Sequence, residues 1–337
     1  NATGNAPDMP SVGGGLYCDR YCSPTLQQLV FEDNRAMSGG GALGLLIMGG
    51  PVDLHLRDLV FRNNHAQSIG AALVLTAQRD TGEEAITGEI TLERVAFTNN
   101  SIQDPLTPGQ SAAGAAILQF AGAETLLDVR LTNTSWHANS AVIGAALVLA
   151  TGNGAVAHTQ IEYATFNGNT GNGIGTVFFA SDSPDATFQL DNVVLWDDPN
   201  VNGELIMYND LSGSGTAPPI IGIDGGLVRG GCPAVATCMA VQDADPLLGA
   251  WLDHGGFVPG QLPAAGSPAI DAAGSCLLVQ DQRGVARAQG PGCDYGALEV
   301  KQAQLTVVVS TPGGEVSAAA VPVPNGPAIN ECRQTSG

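Results

Sequence analysis

Three sets of residues in this chain have types and spacings that could do chemistry. The first is a group of opposite charges, Asp271, Asp281, Arg283, Arg287 and Asp294, within one short stretch. Such a group can poise a carboxylate for proton transfer, or it can lock as ion pairs. Cys276 and Cys293 lie among these charges and can tie the stretch, which favours a structural cluster. The second set is Asp198, Asn200 and Asn202, followed by Gly203 and Glu204. It matches the opening of a calcium loop, but the twelfth position is Asn209, where a bidentate Glu is wanted. An Asp/Asn/Gly turn is therefore preferred, with Ca²⁺ as the minor reading and no other cofactor expected. The third set is the cysteines. Six fall into close pairs, Cys18/Cys22, Cys232/Cys238 and Cys276/Cys293, and Cys332 is left over. Zinc would want tighter pairs or added histidines. Local disulfides formed in an oxidising compartment are expected, although six cysteines formally allow 15 pairings.

Catalytic constellations are weak. A lyase acting on acidic polysaccharide needs a base, usually with Ca²⁺ and Arg or Lys beside it. Between Gln27 and Asp198 the cations are Arg35, Arg57, Arg62, Arg79, Arg94 and Arg130, which do not recur at one position next to an acidic group. A glycosidase needs two carboxylates facing one groove. Asp197 and Asp198 are neighbours in the chain, and extended backbone points neighbours apart. His55, His65, His137, His158 and His254 are scattered. No catalytic residue is assigned.

Composition narrows the partners. There are 32 acidic and 12 basic residues among 337, a net charge of −20, and a single lysine, Lys301. Without a basic stripe, neither nucleic acid nor an anionic membrane surface is an expected partner. No apolar stretch is long enough to span a bilayer. The chain begins at Asn1, which reads as a mature chain with an export signal already removed.

The elements that must carry these residues are repeated. Phe31, Phe61, Phe97, Trp136, Phe166 and Leu195 recur at intervals of 30, 36, 39, 30 and 29 residues. Three positions after each stands Asn34, Asn64, Asn100, Asn139, Asn169 and then Asp198. Small-residue words follow most of these, such as "GALGLL" and "AALVL", and polar insertions at residues 78–88 and 101–111 account for the two long intervals. Ahead of the anchors apolar residues alternate, as in Val52, Leu54 and Leu56, which is the period of a strand with one buried face. A unit of about 30 residues with two or three short strands cannot bury its own face, whereas a stack of units can. The expected fold is all-β: a right-handed parallel β-helix, a solenoid with coils about 4.8 Å apart. Asn at one turn of every coil can bond the coils above and below. A β-sandwich with fortuitous repetition is the alternative. The organisation expected is an N-terminal segment (1–25), coils (26–240), a C-terminal cap (241–300) and a strand-like tail (301–337).

The cap carries a resemblance. "DADPLLG", "GSPAIDAAGSC", "DQRGVAR" and "CDYGALE" resemble the closing words of bacterial choice-of-anchor Q domain surface proteins, through Asp245, Pro246, Leu247, Gly266, Ser267, Pro268, Ala269, Ile270, Asp271, Asp281, Gln282, Arg283, Gly284, Arg287, Cys293, Asp294, Gly296, Ala297 and Glu299. Ala273, Tyr295 and Leu298 depart from the usual Gly, Ile and Phe. The coil words resemble those of polymorphic outer membrane proteins. The resemblance covers about residues 16–300. It implies a β-helix closed by this cap, on a secreted or cell-surface protein, with an anchor often following the cap. The function expected is structural: adhesion, display, or head-to-tail assembly of copies into a filament. Carbohydrate binding or polysaccharide processing is the alternative, and the partners expected are other copies or surface glycans. In the tail, Leu305, Val307 and Val309 form one side of a strand, and Cys332 lacks a local partner. Two expectations compete there, a further small domain cut short or a strand added to a neighbouring copy, with a tail folded back on its own helix as the third.

Overall fold

The computed structural model describes residues 13–20, 23–79, 82–102, 113–171, 175–199, 205–211 and 219–301. Every regular element among them is a strand, and every pairing between strands is parallel. Three sheets result. Seven strands form the first: β1 (Leu16–Asp19), β4 (Leu43–Ile47), β7 (Leu73–Gln78), β10 (Ala116–Ala121), β13 (Leu147–Gly152), β16 (Val177–Ser181) and β18 (Ile206–Asp210). The second, ten-stranded, holds β2 (Thr25–Glu32), β5 (Pro51–Arg62), β8 (Ile86–Thr98), β11 (Thr125–Thr132), β12 (Ser135–His137), β14 (Val156–Glu162), β15 (Thr165–Asn167), β17 (Thr187–Leu195), β19 (Ile220–Val228) and β20 (Thr237–Gln242). Three two-residue strands, β3 (Arg35–Ala36), β6 (His65–Ala66) and β9 (Ser101–Ile102), make the third. Parallel strands in stacked sheets are consistent with a parallel β-helix or solenoid.

Sequence pattern explains the stacking. In β5 buried and exposed positions alternate until the strand bends at Asp58. Leu54, Leu56, Leu59 and Phe61 are fully buried, and so are Ile90, Leu92, Val95, Phe97, Ile161 and Phe166. Register places Phe31, Phe61, Phe97, Trp136, Phe166 and Leu195 in one column. Their rings stack with centroids 4.9, 4.8, 4.1 and 5.6 Å apart from Phe31 to Phe166. Each such side chain contributes about 1.5–3 kcal/mol by leaving water.

Corners close each turn with left-handed backbone, in three columns. Asp58, Arg94, Asn133, Tyr163, Asn192 and Gly225 bend the long strands. Asp33, Asn63, Asn99, Ala138 and Gly168 precede the asparagines. Gly40, Gly70, Gly114, Gly144 and Gly175 open the first-sheet strands. Only the last column is all glycine, because there is no room: a Cβ on Gly144 would sit 2.7 Å from Val148 Cγ2 and 2.8 Å from the Leu147 carbonyl.

Residues 241–301 depart from the expectation of an end cap. Beyond β20, residues 243–301 contain no named strand and lie along the flank of the stack, on the line of bends. Val258 packs on Val60 and Ala96 near one end, and Tyr295 packs with Tyr163, Val194 and Leu227 further along. The reason is local. A left-handed residue in mid-strand turns its side chain and carbonyl outward, and those groups need partners.

Candidate functional site

The asparagine column is a one-way hydrogen-bond chain. Asn34 donates its backbone N–H and its Nδ2 to Asn64 Oδ1, each at 3.0 Å. Asn64 donates to Asn100 Oδ1 at 3.0 and 2.9 Å, Asn100 to Asn139 at 3.1 and 2.9 Å, and Asn139 to Asn169 at 3.1 and 2.9 Å. The second Nδ2 proton goes to the anchor carbonyl of the preceding coil: Phe31 for Asn64, Phe61 for Asn100, Phe97 for Asn139 and Trp136 for Asn169. An interior asparagine side chain thus accepts twice on Oδ1 and donates both Nδ2 protons, which is its full hydrogen-bonding capacity. The preceding left-handed residue aims it inward.

The chain ends at Asp197, not at the expected Asp198. Asn169 donates its N–H to Asp197 Oδ1 at 2.6 Å and its Nδ2 to Oδ2 at 3.1 Å. The last turn is one residue shorter: Trp196 alone separates Leu195 from Asp197, and it has no left-handed conformation. A carboxylate suits this end. Phe166 O, which would accept from a terminal amide, already accepts from Trp196 N–H at 2.9 Å. Burial pushes the Asp197 carboxyl up to about 6, against the hydrogen bonds from Asn169 and Thr176 that favour its charged form. Asp198 is instead half exposed, 3.7 Å from Arg229.

The charged group forms a buried network at the flank. Asp281 accepts the Arg283 and Val285 N–H groups on Oδ1, and the Glu299 N–H and the Arg283 guanidinium on Oδ2. Asp294 accepts the N–H of Asp271 at 2.8 Å and of Val300 at 2.6 Å, and burial raises it to about 6. Asp271 accepts from Gly292 N–H. Arg287 lies 3.8 Å over the Tyr163 ring, pairs with Glu299 at 3.2 Å and donates to Asn133 Oδ1 at 2.8 Å. Burial holds its pKa below the usual arginine range. Glu299 closes the network by accepting from Gln289 and Asp294 N–H. Its role in the cluster was signalled only by its place in the "CDYGALE" word.

Bend residues hold this segment to the coils. Tyr163 Oη donates to Ser275 O and accepts from Leu277 N–H. Gln282 bonds Ser135 and Val95 O, Asn133 bonds Gln280 O, and Gly296 N–H reaches Asn192 O. Arg94 grips Asp58 with two bonds of 2.6 and 2.9 Å. Tyr163 and Asn133 carried no sequence signal for this role, because the bend column holds Asp, Arg, Asn, Tyr and Gly; Gln282 was signalled only by its place in the "DQRGVAR" word.

Disulfides join Cys232 to Cys238 and Cys276 to Cys293. Two disulfides point to an oxidising, extracellular environment, and among the described residues no helix is long and apolar enough to cross a membrane. Cys18 is disulfide-bonded; Cys22 lies outside the described residues, as do Asn200, Asn202, Glu204, Leu305, Val307, Val309 and Cys332. No group of three or more His, Cys, Asp or Glu is placed to hold a metal among the described residues. The histidines do not meet: His65 contacts Ser101, and His137 stacks on Trp251 with centroids 4.9 Å apart.

The outer faces of the two large sheets differ. On the ten-stranded sheet, outward columns carry Asp53, Glu89, Asp128 and His158, then His55, Thr91, Arg130 and Gln160. A shallow cleft of about 190 Å³ opens there, lined by Thr25, Gln27, His55, Arg57, Thr91 and Glu93. On the seven-stranded sheet the column runs Val74, Ile117, Val148 and Phe178, without charge. No protein family, curated protein or solved structure matches this chain.

Proposed function

We propose that this chain is a non-catalytic, exported structural protein of a bacterial surface or extracellular space. Its body is a right-handed parallel β-helix with a repeat of about 30 residues, and its C-terminal part is of the choice-of-anchor Q kind. The observation that carries this reading is the use made of buried charge. Asp281, Asp294 and Glu299 spend their oxygens on backbone N–H groups and arginines that fasten the flank segment, and Asp197 spends its own on the ladder. A rigid rod with polar outer columns suits display or adhesion. The test is thiol trapping with surface proteolysis on intact producing cells. Cys232, Cys238, Cys276 and Cys293 should resist alkylation until reduced, and the protein should be accessible to added protease. Full alkylation without reductant, with the protein protected inside the cell, would overturn the reading.

Carbohydrate binding is the second reading, favoured by the Asp, Glu, Thr, His, Arg and Gln columns around the cleft at His55 and Arg57. An array of acidic and neutral oligosaccharides tests it: binding lost in Arg57→Ala supports it, and an array without signal removes it.

A further inference from the structure

The cleft on the ten-stranded sheet is floored by six polar side chains in a grid. Register sets Thr25, His55 and Thr91 in one row and Gln27, Arg57 and Glu93 in the next. Neighbours within a row stand about 4.8 Å apart and the two rows about 6.6 Å apart, as strand spacing and rise dictate. A floor of about 10 by 7 Å follows, which suits a single sugar ring.

One wall of the cleft is a ring of four charges. β5 bends at Asp58 and β8 at Arg94, directly after Arg57 and Glu93. The two bend residues are buried and joined by hydrogen bonds of 2.6 and 2.9 Å. Arg94 also holds Glu93 Oε1 at 2.6 Å. Arg57 Nε lies 3.5 Å from Asp58 and 3.6 Å from Glu93, beyond a good hydrogen bond. The buried pair thus fixes two partly exposed groups, and it leaves the Arg57 N–H groups and Glu93 Oε2 open to a ligand.

The charge of this wall selects among ligands. Two arginines and two carboxylates sum to zero, so a carboxylated sugar finds no uncompensated cation. It also meets Asp53 and Glu89 at the rim, 2.9 Å from His55 and 3.1 Å from Thr91. An ammonium group meets Arg57. A hydroxyl both donates and accepts. Two adjacent hydroxyls therefore match a guanidinium and a carboxylate side by side, one taking protons from Arg57 and the other giving one to Glu93.

We infer that this cleft binds an uncharged hexose unit, with two vicinal hydroxyls shared between Arg57 and Glu93, in preference to uronic acids and amino sugars. The inference rests on the carbohydrate-binding reading and adds its ligand class.

NMR titration of the full chain tests it, with glucose, galactose, mannose, glucuronate, galacturonate and glucosamine as probes. One ring in so shallow a cleft should bind at concentrations on the order of millimolar. At least one neutral hexose should move the amide signals of 25–27, 55–57 and 91–93, and should bind several-fold more tightly than any charged sugar. Arg57→Ala should weaken that binding about tenfold or more, and Gln189→Ala, far along the same face, should leave it unchanged. Glu93→Gln, which gives the wall a net positive charge, should raise the affinity for glucuronate relative to the neutral hexose. A uronic acid or glucosamine that binds the native cleft as tightly as the neutral hexoses overturns the inference and leaves the carbohydrate reading standing. Unchanged selectivity in Glu93→Gln overturns the part given to the charged wall. No response to any of the six sugars removes the carbohydrate reading and the inference with it. Should either cleft variant fail to fold, the native protein alone still decides between neutral and charged sugars.

Discussion

At the scale of single residues, the ladder behaves as a directional chain whose members are not equivalent. Removing Asn100 leaves Asn64 without its acceptor and Phe61 O without its donor, both deeply buried. Asn100→Ala is expected to cost about 3–5 kcal/mol, because each orphaned buried group costs about 1–3 kcal/mol. Asn34→Ala, at the half-buried start of the chain, keeps its backbone bond and should cost about 1 kcal/mol. Chemical denaturation of the two variants checks the difference. Asp197 adds a pH signature. Its folded pKa, about 6, lies above the ordinary 3.8, so the folded state binds its proton more tightly. The stability from this group is full below about pH 4 and is lost as pH rises through about 6, an effect on the order of 3 kcal/mol. Asp294 titrates in the same window and the same direction. Asp197→Asn should therefore shrink, without abolishing, the difference in unfolding free energy between pH 4 and pH 7; an unchanged difference would place the pH dependence elsewhere. The asparagines were legible as a column because they repeat. The last member was misplaced by one residue, because a shortened turn keeps the hydrogen bond while breaking the spacing.

At the scale of elements, corners and anchors decide whether a strand finds its register. Ala138 holds a φ of 53° in a column where Gly168 is the next member. Ala138→Gly should stabilise by about 0.5–1 kcal/mol, since a left-handed non-glycine residue costs about 1–2 kcal/mol and the flexibility of glycine returns part of that. Gly144→Ala should go the other way, as its Cβ has no space. Comparing their melting temperatures tests the assignment of corners. In the aromatic column, Phe97 sits between Phe61 and Trp136, and Phe97→Ala should cost about 3–5 kcal/mol. A loss under about 1 kcal/mol would mean that the stack collapses into the gap. The strands and their inner faces were readable from period-two alternation. The bends were not, because Asp, Arg, Asn, Tyr and Gly all occupy that column and share a backbone angle, not a side-chain chemistry.

At the scale of the whole molecule, residues 241–301 act as a brace. A stack of repeats is held only by neighbours and can fray from either end. A segment bonded to Val95, Ser135, Tyr163 and Asn192 couples distant coils directly. Cys276→Ser with Cys293→Ser should cost about 3 kcal/mol for a loop of this length. It should also broaden the unfolding transition, as coils released from the brace melt separately; a transition as sharp as before would show that the brace holds without its disulfide.

What the sequence determined by itself was what is local: parallel stacking, the inward residues, the Asn column, and the pairing of Cys232 with Cys238 and of Cys276 with Cys293. Each of these follows from a local period or a short separation, so one coil carries the information. The tertiary structure alone decided where the C-terminal segment lies and what its charges do. That placement depends on Gln282, Arg287 and Gly296 meeting Val95, Ser135, Asn133 and Asn192, with Gln282 and Val95 187 residues apart in the chain, and no local pattern records a contact made across such a distance.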